Sequence, residues 1–210
     1  MNLIPVGDNI KTIPMQLHLG TVYYKDYGAW RDCLTGVIDE LNDSDVPETI
    51  TMLGNSVFRN RDNLASVNLI NIKSVGDYCF YSCQITELNM PELETAGNYA
   101  FAYIPIENVR FQSLANPGLG LFYYCPNLKS ATFDENIILS RQMFYQCTNF
   151  DTLVLNSNMK VELSYTNTFL GTKIESGEGT IYVPESLLNT YQNDPMWSTI
   201  SSPFAAIENN

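Results

Sequence analysis

The stretch at 75–90 reads VGDYCFYSCQITELNM, and its pattern returns along most of the chain. Its phenylalanine belongs to a series with successive gaps of 22, 21, 21, 22 and 25 residues: Phe58, Phe80, Phe101, Phe122, Phe144 and Phe169. A repeat of about 20–29 residues that reuses one apolar pattern is typical of a solenoid, in which each turn buries its apolar face against its neighbours. The period therefore predicts a stacked coil with these six phenylalanines in its core.

Two further sets of positions repeat with the phenylalanines. Four residues earlier the chain has a small residue, at Gly54, Gly76, Gly97, Gly118 and Ser140. Glycine there indicates either a positive φ or a close approach of two backbones. After each phenylalanine, apolar and polar residues alternate, which predicts a β-strand with one buried face. The inward pairs are Val67 and Leu69, Leu88 and Met90, Val109 and Phe111, Ala131 and Phe133, and Leu153 and Leu155.

The order of glycine, small residue and Phe, followed by Leu-x-x-Val-x-Leu, resembles the BspA-type leucine-rich repeat of bacterial surface proteins. The clearest copies are Val75–Cys83 and Phe122–Leu128, and Thr180–Leu188 with Tyr191 and Trp197 is similar to the tail that ends many such arrays. The resemblance implies a right-handed leucine-rich repeat solenoid of the α/β class. It would have mainly short parallel strands, irregular turns and about six repeats of 21–25 residues.

We expect a single elongated domain in three parts, with the family resemblance covering about residues 46–205. The parts are an N-terminal segment with a helical cap at 1–45, BspA-type repeats at 46–184 and a C-terminal helical cap at 185–210. Caps are expected because a bare terminal repeat exposes its core. Apolar residues at helical spacing predict the first cap helix at Asp26–Leu41, and a second short helix is predicted from Pro184 to about Tyr191.

Composition limits the possible partners. With 11 basic and 23 acidic residues the formal net charge is −12, which argues against nucleic acid, whose binding depends on Lys and Arg neutralising phosphates. No run of 18 apolar residues occurs, so no membrane insertion is predicted. The start, Met1–Pro5, has neither the basic nor the apolar region of a signal peptide. The family resemblance implies a cell-surface or extracellular location, and the export route stays open.

The cysteines raise the question of disulfides. Cys83, Cys125 and Cys147 share one position of the repeat, while Cys79 lies in a small inward position. Adjacent turns of a parallel solenoid lie about 4.8 Å apart, so Cys83 and Cys125, two turns apart, are too distant for a bridge. Cys125 and Cys147 lie on adjacent turns, and a bridge between them stays open. The favoured interpretation is that all four pack as small reduced residues.

Candidate catalytic groups are few. The only histidine is His18, so a nucleophilic triad would have to use it. The histidine, cysteine and carboxylate groups of a transition-metal site do not converge in the sequence. Glu92 and Glu94 fit solvated turn residues better than a carboxylate pair. We predict no enzyme activity, no cofactor and no metal.

Two rows of residues remain as candidate binding surfaces. One row is formed by outward residues of the predicted strands: Asn68, Asn89 and Arg110. The other consists of the tyrosines that follow the phenylalanines by one or two residues: Tyr81, Tyr103, Tyr123, Tyr124 and Tyr145. Tyrosine combines an apolar ring with a hydrogen-bonding hydroxyl and is frequent at interfaces. The alternative is that the strand row is merely solvated and that the tyrosines only cover the phenylalanines.

The favoured hypothesis is a non-enzymatic binding and adhesion module that presents a repeat-built surface to a protein or glycan at a bacterial cell surface. An alternative is a structural spacer or tail component of a phage-like particle or envelope assembly. A third possibility, an enzyme of unrecognised type, requires a deep polar pocket that includes His18.

Overall fold

The computed structural model describes residues 12–13, 40–43, 46, 50–163 and 165–208. Within these ranges the chain winds into a coil whose strands all pair in parallel with strands of neighbouring turns. The strands are β1 (Thr12–Ile13), β2 (Glu40–Asn42), β3 (Met52–Leu53), β4 (Ser66–Asn68), β5 (Ser74–Val75), β6 (Glu87–Asn89), β7 (Thr95–Ala96), β8 (Asn108–Phe111), β9 (Asn116–Pro117), β10 (Ser130–Phe133), β11 (Thr152–Leu155), β12 (Thr180–Val183) and β13 (Phe204–Ala206).

The strands form three sheets that run along the coil. The orders are β1-β3-β5-β7-β9 in one sheet, β2-β4-β6 in the second and β8-β10-β11-β12-β13 in the third. Up to β9 the chain therefore alternates between a short two-residue strand on one side of the coil and a longer strand on another. The register joins residues one repeat apart, since Ser66 lies opposite Glu87 and Ser130 lies opposite Thr152. The predicted leucine-rich repeat solenoid with short parallel strands is confirmed.

Within residues 50–163 and 165–208 the helices are short and lie towards the C-terminal end. They are α1 (Lys173–Ser176), α2 (Leu188–Gln192) and three 3-10 helices at Thr166–Phe169, Glu185–Leu187 and Trp197–Thr199. The helix predicted from Pro184 to about Tyr191 is therefore present, as a 3-10 turn that continues into α2. The sequence analysis did not predict β13, which lies within the proposed C-terminal cap and adds a last strand beside β12.

The C-terminal segment closes the open end of the coil. Tyr191 and Trp197 are fully buried, and the Trp197 ring lies 6.2 Å from the ring of Phe169, the last repeat phenylalanine. The Tyr191 hydroxyl accepts a hydrogen bond from the Val161 amide at 2.7 Å, and Trp197 Nε1 donates to the Val161 carbonyl at 2.8 Å. Both polar atoms of these large rings are thus satisfied while the rings cover the core.

The N-terminal helix prediction is wrong where the structure describes its residues. Most of Asp26–Leu41 lies outside the described residues, but Glu40 and Leu41 belong to strand β2. Leu41 pairs with Val67 of β4 and is fully buried. The spacing of apolar residues alone could not distinguish a helix from a further turn of the coil. Leu41 is buried because its strand pairs with β4 of the next turn, and that contact is not visible in the spacing.

The six repeat phenylalanines form a continuous stack, here called the phenylalanine ladder. All six are fully buried. Successive ring centroids lie 5.2 to 6.0 Å apart, with interplanar angles of 3° to 16°. Phe111 and Phe133 stack beside the ladder at 6.0 Å. The predicted core is confirmed, with one difference on the strands: Leu88 is only half-buried, whereas the other predicted inward residues are buried.

The glycine position is explained by close packing between turns. A Cβ added to Gly97 would lie 2.4 Å from the backbone nitrogen of Asp77, and one added to Gly118 would lie 2.5 Å from that of Asn98. Neither residue has a positive φ. Of the two explanations for glycine, close backbone approach is therefore correct at these positions. Ser140 takes the same place in the fifth copy, where its hydroxyl donates to the Gly118 carbonyl at 2.7 Å.

Candidate binding surface

The turns that carry the phenylalanine ladder have an unusual backbone. Residues two before or two after the phenylalanine adopt positive φ, among them Tyr78, Tyr99, Tyr103 and Tyr124 at 54° to 59°. The other residues with positive φ at these two positions are Ser56, Asn60, Ser82, Gly120, Gln142, Gln146 and Gly171, and the one exception is Asn167, two residues before Phe169. This conformation costs about 1–2 kcal/mol for a residue with a side chain. Hydrogen bonds between turns offset that cost, such as Tyr78 N–H to the Asn98 carbonyl and Tyr103 N–H to the Tyr123 carbonyl, both at 2.9 Å.

Seven tyrosines on these turns form one continuous cluster, here called the tyrosine strip. Its members are Tyr78, Tyr81, Tyr99, Tyr103, Tyr123, Tyr124 and Tyr145. Parallel stacks occur at Tyr78–Tyr99 (5.4 Å), Tyr103–Tyr124 (5.5 Å) and Tyr123–Tyr145 (5.0 Å). Tilted and edge contacts join the stacks to one another. All five tyrosines singled out in the sequence are thus brought together.

Tyr78 and Tyr99 were missed by the sequence analysis, although a signal was present. Each lies two residues before its phenylalanine, a position filled by Ser56, Gly120 and Gln142 in other turns. An aromatic residue there, next to tyrosines after the phenylalanine, indicates a broader patch. The ring of Tyr78 contacts that of Tyr81 edge-on at 5.6 Å.

A small residue makes room in the middle of the strip. Ala102 occupies the position that Tyr81 and Tyr123 have in the neighbouring turns, and it is fully buried. Tyr103, one residue further on, contacts the rings of both Tyr81 at 5.1 Å and Tyr123 at 5.9 Å. The strip therefore stays continuous where the row of tyrosines one residue after the phenylalanine is interrupted.

Arg59 lies against one end of the strip. Its guanidinium is 5.1 Å from the ring centre of Tyr78 and 5.0 Å from that of Tyr81. A cation over a tyrosine face is attracted by the ring quadrupole. This end of the strip is thus covered by a residue of the chain itself.

The strip is partly open to solvent. Tyr103 and Tyr124 are 42% and 40% exposed, while the other five rings are half-buried. Burial raises the pKa of Tyr103 and of Tyr123, and the neighbouring phenols raise both further. Like any phenol, both hydroxyls are protonated at neutral pH, and they can donate as well as accept hydrogen bonds.

The turns that carry the strip hold little of the chain's negative charge. With the turn on either side added, the six segments 54–62, 76–84, 97–105, 118–126, 140–148 and 165–173 contain four of the 11 basic residues and two of the 23 acidic residues. In segments 76–84, 97–105 and 118–126 the only charged residue is Asp77. The acidic residues that make the net charge −12 therefore lie mostly in other segments of the chain.

A shallow groove of about 330 Å³ borders the strip. Its lining comes from three successive turns: Gln84, Tyr103, Ile104, Pro105, Tyr124, Pro126 and Asn127. Ile104 is almost fully buried and lies in sequence between the exposed Tyr103 and the half-buried Pro105. The Asn127 amide donates to the Pro105 carbonyl at 3.4 Å. The groove is thus mainly apolar, with amides and phenols at its margins.

The strand row forms a separate surface. Asn89 Nδ2 donates to Asn68 Oδ1 at 2.6 Å, so these two amides pair with each other. Arg110 binds both carboxylate oxygens of Asp134, at 2.9 and 3.2 Å. The Asp134 carboxylate also accepts from Asn156 Nδ2 at 2.5 Å. The two asparagines lie in the sheet of β4 and β6 and Arg110 lies in the sheet of β8, so the row is divided between two sheets, and its polar groups already pair with neighbouring side chains.

The cysteines that the structure describes are buried free thiols. This holds for Cys79, Cys83, Cys125 and Cys147, so the bridge that the spacing of Cys125 and Cys147 left open is not formed. Cys83 and Cys147 donate to the carbonyls of Phe58 and Phe122, each at 2.9 Å. Burial raises the pKa of Cys83 to about 12, which disfavours its reactive thiolate. The interpretation of reduced, packed cysteines is confirmed.

The other chemical candidates are not assembled into a site. Glu92 and Glu94 are both exposed, and Glu94 pairs with Lys73 at 2.8 Å, which raises the pKa of Lys73. His18 lies outside the described residues. In the part of the chain that the structure describes, three or more His, Cys, Asp or Glu side chains never gather in a way that could hold a metal ion. Within the same described ranges, no helix has the length and apolar character needed to cross a bilayer.

Comparisons with known proteins agree with this architecture. A scan of protein families matches the BspA type leucine rich repeat region in six copies, over residues 33–151 and 73–193. A search of curated proteins gives no match. Among solved structures the chain is similar to the pneumococcal vaccine antigen PcpA, with 14% identity and a TM-score of 0.61, over 82% of this chain and 42% of that one. At this identity the likeness shows the fold, and the chain spans less than half of the PcpA chain.

Two further solved structures are similar at lower TM-scores. One is a leucine-rich repeat protein from Bacteroides ovatus, with 14% identity, a TM-score of 0.36 and coverage of 81% of this chain and 66% of that chain. The other is a leucine rich cell surface protein from Faecalibacterium prausnitzii, with 10% identity, a TM-score of 0.33 and coverage of 96% and 89%.

Proposed function

Because the chain belongs to the BspA-type leucine-rich repeat family, we propose that it is a non-enzymatic module that binds a protein or glycan at a bacterial cell surface. The tyrosine strip is its recognition surface. The observation that carries the proposal is the contiguity of seven tyrosines over four turns, two of them about 40% exposed.

The strip is better suited to recognition than the strand row. Tyrosines supply large contact areas with little loss of side-chain entropy, and they are frequent among residues that dominate binding energy. The strand row has already paired its polar groups, through Asn68 with Asn89 and through Arg110 with Asp134. A ligand on the row would have to replace these interactions, whereas the strip offers rings and phenols at a surface with few charges.

The surface location and the binding role come from the family, and the strip accounts for how binding would occur. The repeat turns fix the backbone of the tyrosines, because hydrogen bonds join the backbone of each strip residue to that of a neighbouring turn. A rigid, pre-ordered surface lowers the entropy cost of binding. Affinity would come from many weak contacts spread over the strip.

The test is binding of the purified protein to immobilised host matrix proteins and to a glycan array. It is run beside a Tyr81→Ala, Tyr123→Ala, Tyr145→Ala variant. These three positions do not have positive φ, so alanine adds no backbone strain there. Tyr165→Ala is the matched control, because Tyr165 is 48% exposed and is not a member of the strip.

We expect the wild type and the Tyr165→Ala control to bind one of these ligands and the triple variant to lose at least about tenfold in affinity, which is about 1.4 kcal/mol. Circular dichroism must show that all three proteins are folded. Equal binding by the wild type and the folded triple variant would reject the strip as the recognition surface. A folded wild type that binds nothing, but co-sediments with a particle or envelope fraction, would instead favour the structural spacer.

A further inference from the structure

The groove beside Tyr103 and Tyr124 has the shape and chemistry to hold an extended peptide. We propose that it binds a proline-rich segment of a partner protein in the polyproline II conformation. This inference rests on the proposed binding function and narrows it to one face and one ligand class.

The lining favours proline over a polar ligand. Tyr103 and Tyr124 lie two residues after their phenylalanines, and Pro105 and Pro126 lie four residues after them. Ile104, between the first tyrosine and proline, is almost fully buried and supplies an apolar floor. Grooves lined by aromatic residues are the common binding site of polyproline II segments.

The spacing of the turns fits the ligand. The groove draws its lining from three successive turns, those of Phe80, Phe101 and Phe122. With turns about 4.8 Å apart, the first and third turns are separated by roughly 9.6 Å. A polyproline II helix advances about 3.1 Å per residue, so its full turn of three residues covers about 9.3 Å. The positions four residues after Phe80 and Phe122, which are Gln84 and Pro126, are therefore about one polyproline II turn apart.

The polar groups at the margins match the needs of this backbone. A polyproline II segment makes no internal hydrogen bonds, so its carbonyls need external donors. The phenols of Tyr103 and Tyr124 and the amides of Gln84 and Asn127 surround the groove. A tyrosine hydroxyl is protonated at neutral pH, so both phenols can donate.

The low charge of the turns that line the groove favours an uncharged ligand. In the three turns that line the groove, 76–84, 97–105 and 118–126, Asp77 is the only charged residue, although the chain carries −12. An anionic ligand would be repelled by the chain as a whole. A strongly cationic ligand would favour the acidic surfaces elsewhere. An uncharged segment is what this face complements.

The experiment measures binding of fluorescein-labelled decaproline by anisotropy. A glycine-serine peptide of equal length and a neutral glucan oligosaccharide serve as comparison ligands. The groove variant is Tyr103→Asn with Tyr124→Asn, chosen because asparagine tolerates the positive φ of both positions. Tyr165→Ala is the matched control. Tyr103→Phe and Tyr124→Phe keep the rings and remove only the hydroxyls.

We expect decaproline to bind at least about tenfold more tightly than the glycine-serine peptide. The double asparagine variant should lose at least about tenfold, the phenylalanine variants less, and Tyr165→Ala nothing. Decaproline binding no tighter than glycine-serine, or unchanged in the folded groove variants, would overturn the proposal.

The proposed function can survive failure of this inference. Tyrosine-dependent binding of the oligosaccharide, or of a matrix protein, without decaproline binding would reject the proline-rich ligand and leave the recognition strip standing. Loss of every tyrosine-dependent interaction would reject both.

Discussion

The phenylalanine ladder and the tyrosine strip occupy the same turns but differ in order. Successive phenylalanines are always close to parallel, at 3° to 16°. Strip contacts range from 6° to 86°. The ladder is fully buried and must fill a closed space at high density, so each ring repeats the orientation of the last. The strip faces solvent, and its rings need only cover the ladder.

This difference separates the residues that stabilise the coil from those that we propose to bind a partner. Replacing a member of a buried aromatic stack leaves a cavity that destabilises the fold. Replacing a member of an exposed stack leaves no such cavity and costs less stability. The strip covers only four turns. In the outer turns the position directly after the phenylalanine is occupied by Arg59 and Leu170 instead of tyrosine. Its concentration in the middle of the coil is not required for the core to form.

The largest expected effect is on the ladder. Phe122→Ala should lower the free energy of unfolding by about 3–5 kcal/mol, because Phe122 is fully buried and stacks on both Phe101 and Phe144. Tyr123→Ala, one residue further on, should cost about 1 kcal/mol or less. Equilibrium urea unfolding measures both. Equal losses would mean that the strip is as much a part of the core as the ladder.

A buried tyrosine outside the strip provides the second test. Tyr191→Phe should cost about 1–3 kcal/mol, because the buried Val161 amide loses its acceptor at 2.7 Å. Tyr123→Phe, on the strip, should change the free energy of unfolding by only a few tenths of a kcal/mol, about the scale of an ordinary surface substitution. Thermal unfolding of the two variants compares them directly. A neutral Tyr191→Phe variant would show that another acceptor satisfies the amide.

The backbone of the strip predicts a smaller effect. Tyr103→Asn should be more stable than Tyr103→Ala by roughly 0.5–1 kcal/mol, because asparagine tolerates the φ of 59° better than alanine does. Both substitutions remove the ring, so the difference reports on the backbone alone. Identical urea midpoints for the two variants would contradict a left-handed conformation at this residue.

The smallest effect concerns alkaline pH. Folding raises the pKa of Tyr103 and of Tyr123 above the usual phenol value of about 10, chiefly through burial. The neutral phenol is thus favoured in the folded state, so its contribution to stability is present below about pH 10 and is lost as the pH rises through the raised pKa values. The melting temperature of the wild type should fall more steeply above about pH 10 than that of a Tyr103→Phe, Tyr123→Phe variant. Parallel curves would show that these phenols titrate as in the unfolded chain.

The C-terminal helix and the N-terminal helix show the limits of periodicity. The first was correctly predicted because Pro184 marks its start and Pro195 its end. The prediction of the N-terminal helix was wrong at Glu40 and Leu41. The same spacing of apolar residues fits one face of a helix and also a turn of the coil whose strand pairs with the next turn. Strand β13 went unpredicted because its pairing with β12 depends on how the cap returns to the sheet.

The sequence by itself determined the coil, because a period of 21 to 25 residues with an apolar residue at fixed positions can bury its core only by stacking. It also determined which residues form the ladder. Only the tertiary structure decided that Tyr78 and Tyr99 join the strip, that Tyr103 spans the gap at Ala102 and that a groove opens beside Tyr124. The direction of these side chains depends on the sign of φ in the turns. Hydrogen bonds between successive turns stabilise that backbone, and no local sequence pattern reports them.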